Sequence, residues 1–373
     1  MGRTSATAHR YEIAVNALRR RVVREVKFED VVSFESLMKA AEQCRRGVTW
    51  KASTQVFWAN QMRWCATLHR QLIEGTYRPK GFTEFDICER GKTRRIRAVH
   101  ITERCVQKAL VQNALRPAIE PRLIYDNSAS VKGKGTEFAL MRLRKHLARH
   151  YRKHGTAGGI LVMDYASYFD SISHRILLDM LRDVLEDDRV YNLTKMFIDA
   201  FPGEYGLGLG SEVSQTSAIF YPNVLDHYIK ERLHIEGYGR YMDDSYIIHQ
   251  DLNYLKKCRR EVEELAGDKL GLKLNPKRTM IVRFDGGSFD YLKKRVSITE
   301  TGKILMRLSR KNVTQHRRKL KRLSQKNVDL ASVEQSHESW RGYAKKYDSR
   351  RTVKTMDDYY HNLFGGETEW KKF

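Results

Sequence analysis

The chain has 373 residues, enough for two or three structural units with a core of ordinary size. Hydrophobic residues make up 41% and aromatics 10%, which excludes a largely disordered polymer. Lys and Arg number 69 against 45 Asp and Glu, a formal charge of +24 that is too basic for a typical metabolic enzyme and points to a polyanionic partner, nucleic acid before membrane. No apolar run approaches the roughly 18 residues of a membrane span, and the Arg-rich N-terminus lacks the apolar core of a signal peptide. Cys44, Cys65, Cys88, Cys105 and Cys258 are scattered without CxxC or Cys/His spacing. That pattern argues against structural zinc and for free thiols in a reducing, cytoplasmic compartment.

Residues 1–75 read as helical. Ala14, Leu18 and Val22 recur at i, i+4, i+8 among Arg3, Arg10, Arg19, Arg20, Arg21 and Arg24, and Val56 to Ile73 carries a second apolar pattern with Arg63, His69 and Arg70. Such helices either present a solvated basic face or touch nucleic acid directly. Phe82, Phe85 and Ile87 among polar neighbours, then Gly91 and the basic Lys92 to Arg97, predict a two-stranded ribbon turning at Gly91. A helix over about 102–118 follows, then a Gly- and Lys-rich loop from Asp126 to Gly135 and a helix after Thr136. Ile160 to Met163 is a short apolar run that delivers Asp164 at the end of a buried strand. A helix with Leu177, Leu181, Val184 and Leu185 on one face comes next, then a turn at Gly206, Gly208 and Gly210 into a helix over about 215–233. Arg240 to Ile248 predicts a hairpin with Asp243 and Asp244 at its tip. Leu255, Cys258, Val262 and Leu265 mark a helix ending near Gly271, and Phe284 to Ile298 holds one or two short strands. Residues 303–326 are basic and acid-free, and the last 45 or so residues look helical.

Tyr241-Met242-Asp243-Asp244 carries the chemistry. Adjacent carboxylates at a hairpin tip repel each other unless a divalent cation lies between them. Hard ions such as Mg²⁺ take carboxylate oxygens and keep positions open for phosphate and water. With Asp164 as third ligand, two such ions (Mn²⁺ can substitute) would activate a 3′-hydroxyl and stabilise a leaving pyrophosphate. Strand, two helices and hairpin would make one small sheet. Met356-Asp357-Asp358 repeats the tripeptide in a polar helical setting and reads as a solvated face.

From about residue 75 to 325 these motifs resemble the reverse transcriptases. Lys92 to Arg97 with Glu103-Arg104-Cys105-Val106-Gln107 looks like one fingers motif, and Ser128 to Gly135 like the next. Asp164-Tyr165-Ala166-Ser167-Tyr168-Phe169-Asp170 is similar to the palm motif carrying the first metal ligand, with Asp170 a supporting acid rather than a ligand. Asn275-Pro276-Lys277-Arg278-Thr279 resembles the following palm motif. The family usually has Lys where Arg278 stands, so the general-acid role sometimes given to that Lys passes to Lys277 or to nothing. Tyr291-Leu292-Lys293 lacks the usual Gly of the grip motif near the thumb. In Gly208-Leu209-Gly210-Ser211-Glu212-Val213-Ser214-Gln215, Leu209 replaces the common Gln and Gln215 the common Pro. This form, with Trp340-Arg341-Gly342-Tyr343-Ala344, is similar to reverse transcriptases of diversity-generating retroelements, which copy a template RNA with errors opposite adenine. Bacterial defence-associated reverse transcriptases carry loop variants too.

The resemblance implies an α+β right hand with a small antiparallel palm sheet and a helical thumb. Its divisions are a basic N-terminal region (1–75), fingers (76–160), palm (161–298) and thumb (299–373). It implies catalytic and metal-binding roles for Asp164, Asp243 and Asp244. Phe169 would be a steric gate against a 2′-hydroxyl, or else a core ring. Gly210 would let backbone approach the nascent base pair; Leu209 and Gln215 would line the same nucleotide site, or Leu209 would pack beneath the palm. Arg95, Arg97 and Lys132 would take the triphosphate, or face solvent and nucleic-acid backbone. Arg317, Arg318, Lys319, Lys321 and Arg322 would hold nucleic acid, or form a solvated face. The expected function is bacterial, cytoplasmic synthesis of cDNA from deoxynucleoside triphosphates on a dedicated structured RNA, error-prone at adenine. Anti-phage defence with a non-coding RNA is the alternative setting. A small accessory protein or a homo-oligomer is implied as partner, and no membrane. The residues after the hairpin leave room for a thumb and no ribonuclease H, integrase or endonuclease domain. Phe169 argues against an RNA-templated RNA polymerase, and the three aspartates against a non-catalytic RNA-binding scaffold.

Overall fold

A computed structural model describes residues 25–89, 92–326 and 328–365. The helical pattern at Ala14, Leu18 and Val22, the Gly91 turn and residues 366–373 lie outside the described residues. The N-terminal layer is a set of short helices, Phe28–Val32, Phe34–Arg45, Ala52–Ala59 and Gln61–Ile73. Ser33 caps the second, its Oγ accepting from the Ser36 amide at 3.2 Å. Leu37, Ala40, Ala41 and Cys44 then face inward at helical spacing, onto Ile101–Leu110. That helix loosens into a π-turn at Val111–Leu115 and closes with Arg116–Ile119.

Strands β1 (Phe82–Glu89) and β2 (Lys92–Val99) form the expected antiparallel ribbon, in register from Phe82↔Val99 to Glu89↔Lys92. Its root is held where Phe82 stacks on Phe201 at 4.7 Å. The central sheet contains β3 (Gly159–Met163), β4 (Gly237–Tyr241), β5 (Asp244–His249) and β6 (Met280–Arg283) in the order β4-β5-β3-β6, antiparallel throughout. Alternate residues of β3 enter different cores. Leu161 and Met163 join the main one, while Ile160 and Val162 pack with Leu140, Leu143 and Leu147 of helix Thr136–His154. Burial on both faces is why β3 reads as an uninterrupted apolar run.

The helix expected over 215–233 is divided into Glu212–Phe220, Asn223–His227 and a π-turn at Tyr228–Arg232. Pro222 has no N–H to continue it. The Ala218 carbonyl, four residues earlier, accepts the Tyr168 hydroxyl instead. More than two helices separate Asp164 from the hairpin: His174–Arg182 is joined by Asp188–Asp199, capped by Asp187 with Val190, Leu193 and Phe197 turned inward.

A second sheet comprises β7 (Ser288–Tyr291), β8 (Lys294–Ile298) and β9 (Ile304–Leu308), antiparallel in that order. β9 lies in the basic run after 303, so this sheet straddles the division drawn at 298. The β7–β8 turn holds Leu292 (φ 46°) and Lys293 (φ 65°) in the left-handed region, where Asn-Gly is the easier sequence. Lys294 is fully buried, its ammonium 3.8 and 3.7 Å from the ring centroids of Tyr343 and Tyr347 and donating to the Tyr343 hydroxyl. Helices Arg310–Ser324, Leu330–Lys345 and Arg350–Phe364 complete the described chain, as the C-terminal pattern predicts.

The second Met-Asp-Asp is not a solvated face. Met356 is buried with Leu320, Val333 and Tyr360. Asp357 accepts from His337 Nε2 and from Arg341 Nε, both at 3.0 Å. His337 Nδ1 in turn lies 3.0 Å from His316 Nε2, and His316 stacks on Trp340 at 4.4 Å. Burial pushes His316 down to about 4 from 6.5 and lowers His337. A histidine neutral in the fold stabilises above its unfolded pKa, and that contribution is lost as pH falls through the window between the two values. Acidification from pH 7 to pH 5 should therefore remove about 2 kcal/mol through His316. Denaturation curves at both pH values should show a smaller acid loss for His316→Gln than for the wild type.

Candidate active site

Asp164 follows directly on β3, and Asp243 and Asp244 close the β4–β5 turn beside it, since Met163 pairs with Ser245. Asp164 lies within hydrogen-bonding reach of both Asp243 and Asp244, so the structure brings the three sequence-predicted acids together. Burial raises Asp164, the Asp243 charge adds to this, and Arg278 opposes it. Burial and then Asp243 push Asp244 up to about 7, again against Arg278. Such repulsion is relieved by a cation, and here the nearest one is a side chain. Arg278 donates from Nη1 to Asp164 Oδ1 at 2.8 Å and from Nη2 to Asp244 Oδ1 at 3.2 Å. Asn275 Nδ2 donates to Asp164 Oδ2 at 3.2 Å, and the Asn275 amide to the Asp164 carbonyl at 2.7 Å.

Arg278, not Lys277, is thus the motif's cation at the carboxylates; Lys277 is exposed and its amide donates to Asn275 Oδ1. With Arg278 in this position no group of three or more His, Cys, Asp or Glu side chains among the described residues already forms a metal-ligand set. The donor chemistry nonetheless fits magnesium: three hard, like-charged carboxylates, two of them desolvated.

The turn is held from beneath. Met242 is left-handed (φ 57°), and its carbonyl accepts from Arg240 Nη1 at 3.0 Å. Arg240 and Asp226 are both fully buried; Arg240 Nε donates at 2.8 Å and Nη2 at 2.6 Å to the Asp226 carboxylate. Nη2 also reaches the Ile219 carbonyl at 2.8 Å, and the Tyr238 hydroxyl donates to Asp226 Oδ1 at 2.6 Å. The Arg240 backbone ties in the Gly- and Lys-rich loop: Ser128 N donates to the Arg240 carbonyl at 3.0 Å and Arg240 N to that of Asp126 at 3.1 Å. In this loop Lys134, not Lys132, is anchored, donating to the carbonyls of Tyr125 (2.6 Å) and Asn127 (3.1 Å); Lys132 is exposed.

A second group forms a continuous wall. The Leu207 amide donates to the Phe169 carbonyl at 2.8 Å, and the Arg97 amide to the Leu209 carbonyl at 3.0 Å. Half-buried Leu209 therefore joins the basic strand of the ribbon, and half-buried Phe169 is tied to the same loop through Leu207. Gly210 has φ 116°, and a Cβ there would lie 2.8 Å from the Arg97 carbonyl. The backbone it admits here is that of the ribbon. Glu84, which no motif singled out, accepts from Arg97 Nε at 2.8 Å and from Arg95 Nη2 at 2.5 Å. Gln215 is exposed on the helix capped by Ser211, whose Oγ donates to Gln107 Oε1 at 2.9 Å. The five thumb cations are exposed but do not act as one face: Arg317 lies over Tyr359, Lys319 donates to Ser336, and Arg318, Lys321 and Arg322 share a helical stripe.

Residues 79–337 match the family model described as reverse transcriptase (RNA-dependent DNA polymerase). The chain belongs to this family. No curated protein matches it. Among solved structures it is similar to telomerase from Candida albicans in complex with a TWJ fragment of telomeric RNA. The TM-score is 0.50 at 12% identity, over 77% of this chain and 60% of that one. It also matches apo telomerase from Candida tropicalis truncated from its C-terminal domain. There the TM-score is 0.45 at 13% identity, over 60% of this chain and 54% of that one. The first likeness supports the right-hand fold. The chain spans about 54–60% of the length of these neighbours.

In this reverse transcriptase, removing one partner of the buried pair leaves an uncompensated charge. Asp226→Ala should lower stability by about 3–5 kcal/mol. Asp226→Asn should lose less, because its amide oxygen still accepts from Arg240. Equal, small losses in urea titrations of both variants would show that the pair does not hold the turn.

Proposed function

We propose that the chain copies a dedicated structured RNA into cDNA in a bacterial cytoplasm, as a reverse transcriptase of the diversity-generating type. The convergence of Asp164, Asp243 and Asp244 at one end of the sheet carries the polymerase reading. Those residues would hold two Mg²⁺, or Mn²⁺ as a substitute, which when bound activate the primer 3′-hydroxyl and neutralise charge on the leaving pyrophosphate. Arg278 must release its carboxylate oxygens for that set to form. Arg95 and Arg97 exchange Glu84 for phosphate oxygens, with Lys132 as a further exposed cation. Phe169 excludes the 2′-hydroxyl of a ribonucleotide, which favours deoxynucleoside triphosphates. Arg318, Lys321 and Arg322 present the outward charge of the thumb to RNA. Five unpaired thiols suit a reducing cytoplasm, and no helix among the described residues is long and apolar enough to cross a membrane. A small helical accessory protein completes the assembly.

Asp243→Ala and Asp164→Ala should each reduce primer extension below about 1% of wild type, since lost metal ligation raises the barrier by several kcal/mol. RNA binding, read by filter retention, should be spared. Higher residual extension would reassign the metal ligands.

The error-prone character rests on Leu209, joined to the ribbon through its carbonyl where many relatives have Gln. A branched apolar side chain offers shape without a hydrogen bond, so discrimination between nucleotides falls. Leu209→Gln should change misincorporation opposite adenine a few-fold, by sequencing of cDNA made on one adenine-rich template. Equal error spectra would remove Leu209 from fidelity, and accurate copying of adenine by the wild type would remove the retroelement assignment.

A further inference from the structure

Three of the five tryptophans, Trp50, Trp58 and Trp64, lie ahead of the segment that matches the family. Trp50 is 74% exposed, and Val56 and Met62 nearby are 62% and 66% exposed. A large indole left in water forgoes the burial that usually fixes such a ring. Each of the three rings carries a cation. Arg45 lies 3.7 Å from the Trp58 centroid, Lys51 5.4 Å from Trp50 and Lys80 5.3 Å from Trp64. Between Gln43 and Ile73 the sequence has no Asp or Glu, while Arg45, Arg46, Lys51, Arg63 and Arg70 fall within it. Arg45, Arg46 and Lys51 have no carboxylate partner among the described residues, unlike Arg95 and Arg97.

From this juxtaposition we propose that Trp50 and Trp58, with Arg45 and Lys51, form a stacking platform for single-stranded RNA. Bases stack on rings irrespective of sequence, and the adjoining cations take the phosphates. The Arg45 guanidinium already stacked on Trp58 extends that ring with a second planar surface, on which a base can lie. Trp50 stands just ahead of the helix Ala52–Ala59, about 12 Å long, and Trp58 in its last turn, so the two rings offer two stacking stations along one strand. A protein partner fits less well, because the cations run from Gln43 to Ile73 without one Asp or Glu, a one-sign surface that suits a polyanion. The inference rests on the reading that this chain works on RNA, and it places an anchoring point for unpaired RNA outside the segment containing the aspartates.

The test uses the full chain and a fluorescein-labelled oligouridine. Trp50→Ala and Trp58→Ala should each weaken binding by about 5-fold or more, the loss expected of one stacked base. Trp50→Phe should retain most of the affinity. Extension of a short, fully primed RNA–DNA hybrid at saturating concentration should stay at the wild-type rate in Trp50→Ala. Unchanged oligouridine affinity in both alanine variants overturns the platform, and a change in self-association by light scattering would then assign the surface to protein contact. Wild-type chain that binds oligouridine but extends no primer would overturn the polymerase reading and leave the platform standing.

Discussion

The ion pair between Asp226 and Arg240 is the constraint from which the active-site geometry follows. Both groups are removed from water, a situation that is tolerable only when every donor and acceptor finds a partner. Arg240 meets that condition by reaching four places at once: Asp226, the Ile219 carbonyl, the Met242 carbonyl and, through its backbone, the loop after Asp126. Its planar fork reaches these directions together, which a lysine ammonium would not. The left-handed Met242 is therefore specified by a buried electrostatic requirement and not by a glycine. The two aspartates after it inherit their orientation from that turn.

Above this balanced pair lies an unbalanced cluster. Three aspartates face one guanidinium, that of Arg278, which pairs with Asp164 and Asp244 but not with Asp243. The fold thus places a fully compensated charge network one layer beneath an undercompensated one, and the rigidity of the first keeps the second from relaxing apart. Pre-set carboxylates of this kind favour whatever cation can satisfy all of them together.

Where local pattern and tertiary role coincide, the sequence was informative. β3 is apolar because both faces are buried, and the aspartates stand at a hairpin tip with flanking Tyr, Met and Ile. β6 and β9 were less legible because each is a short strand carrying exposed or basic side chains whose only claim to be a strand is the neighbour it pairs with. The helix 188–199 did have a signal, Asp187 ahead of an inward Val-Leu-Phe spacing. Glu84 and Arg278 were not legible as partners of anything, since their roles depend on cross-strand register and on a loop folding back over β3. Asp357 misled for the reverse reason: a polar helical context hid a carboxylate committed to His337 and Arg341.

The buried ammonium of Lys294 joins two parts that are far apart in sequence. It follows immediately on the left-handed pair Leu292-Lys293 and is clasped by Tyr343 of helix Leu330–Lys345 and by Tyr347 just past its end. A strained turn has few alternative conformations, and a charge surrounded by aromatic faces has no substitute solvent. Helix and turn are consequently one mechanical unit: a force that tilts the C-terminal helices is delivered to the tip of the β7–β8 hairpin without an intervening hinge. Strain at that tip and the pose of the thumb are two readings of a single coordinate.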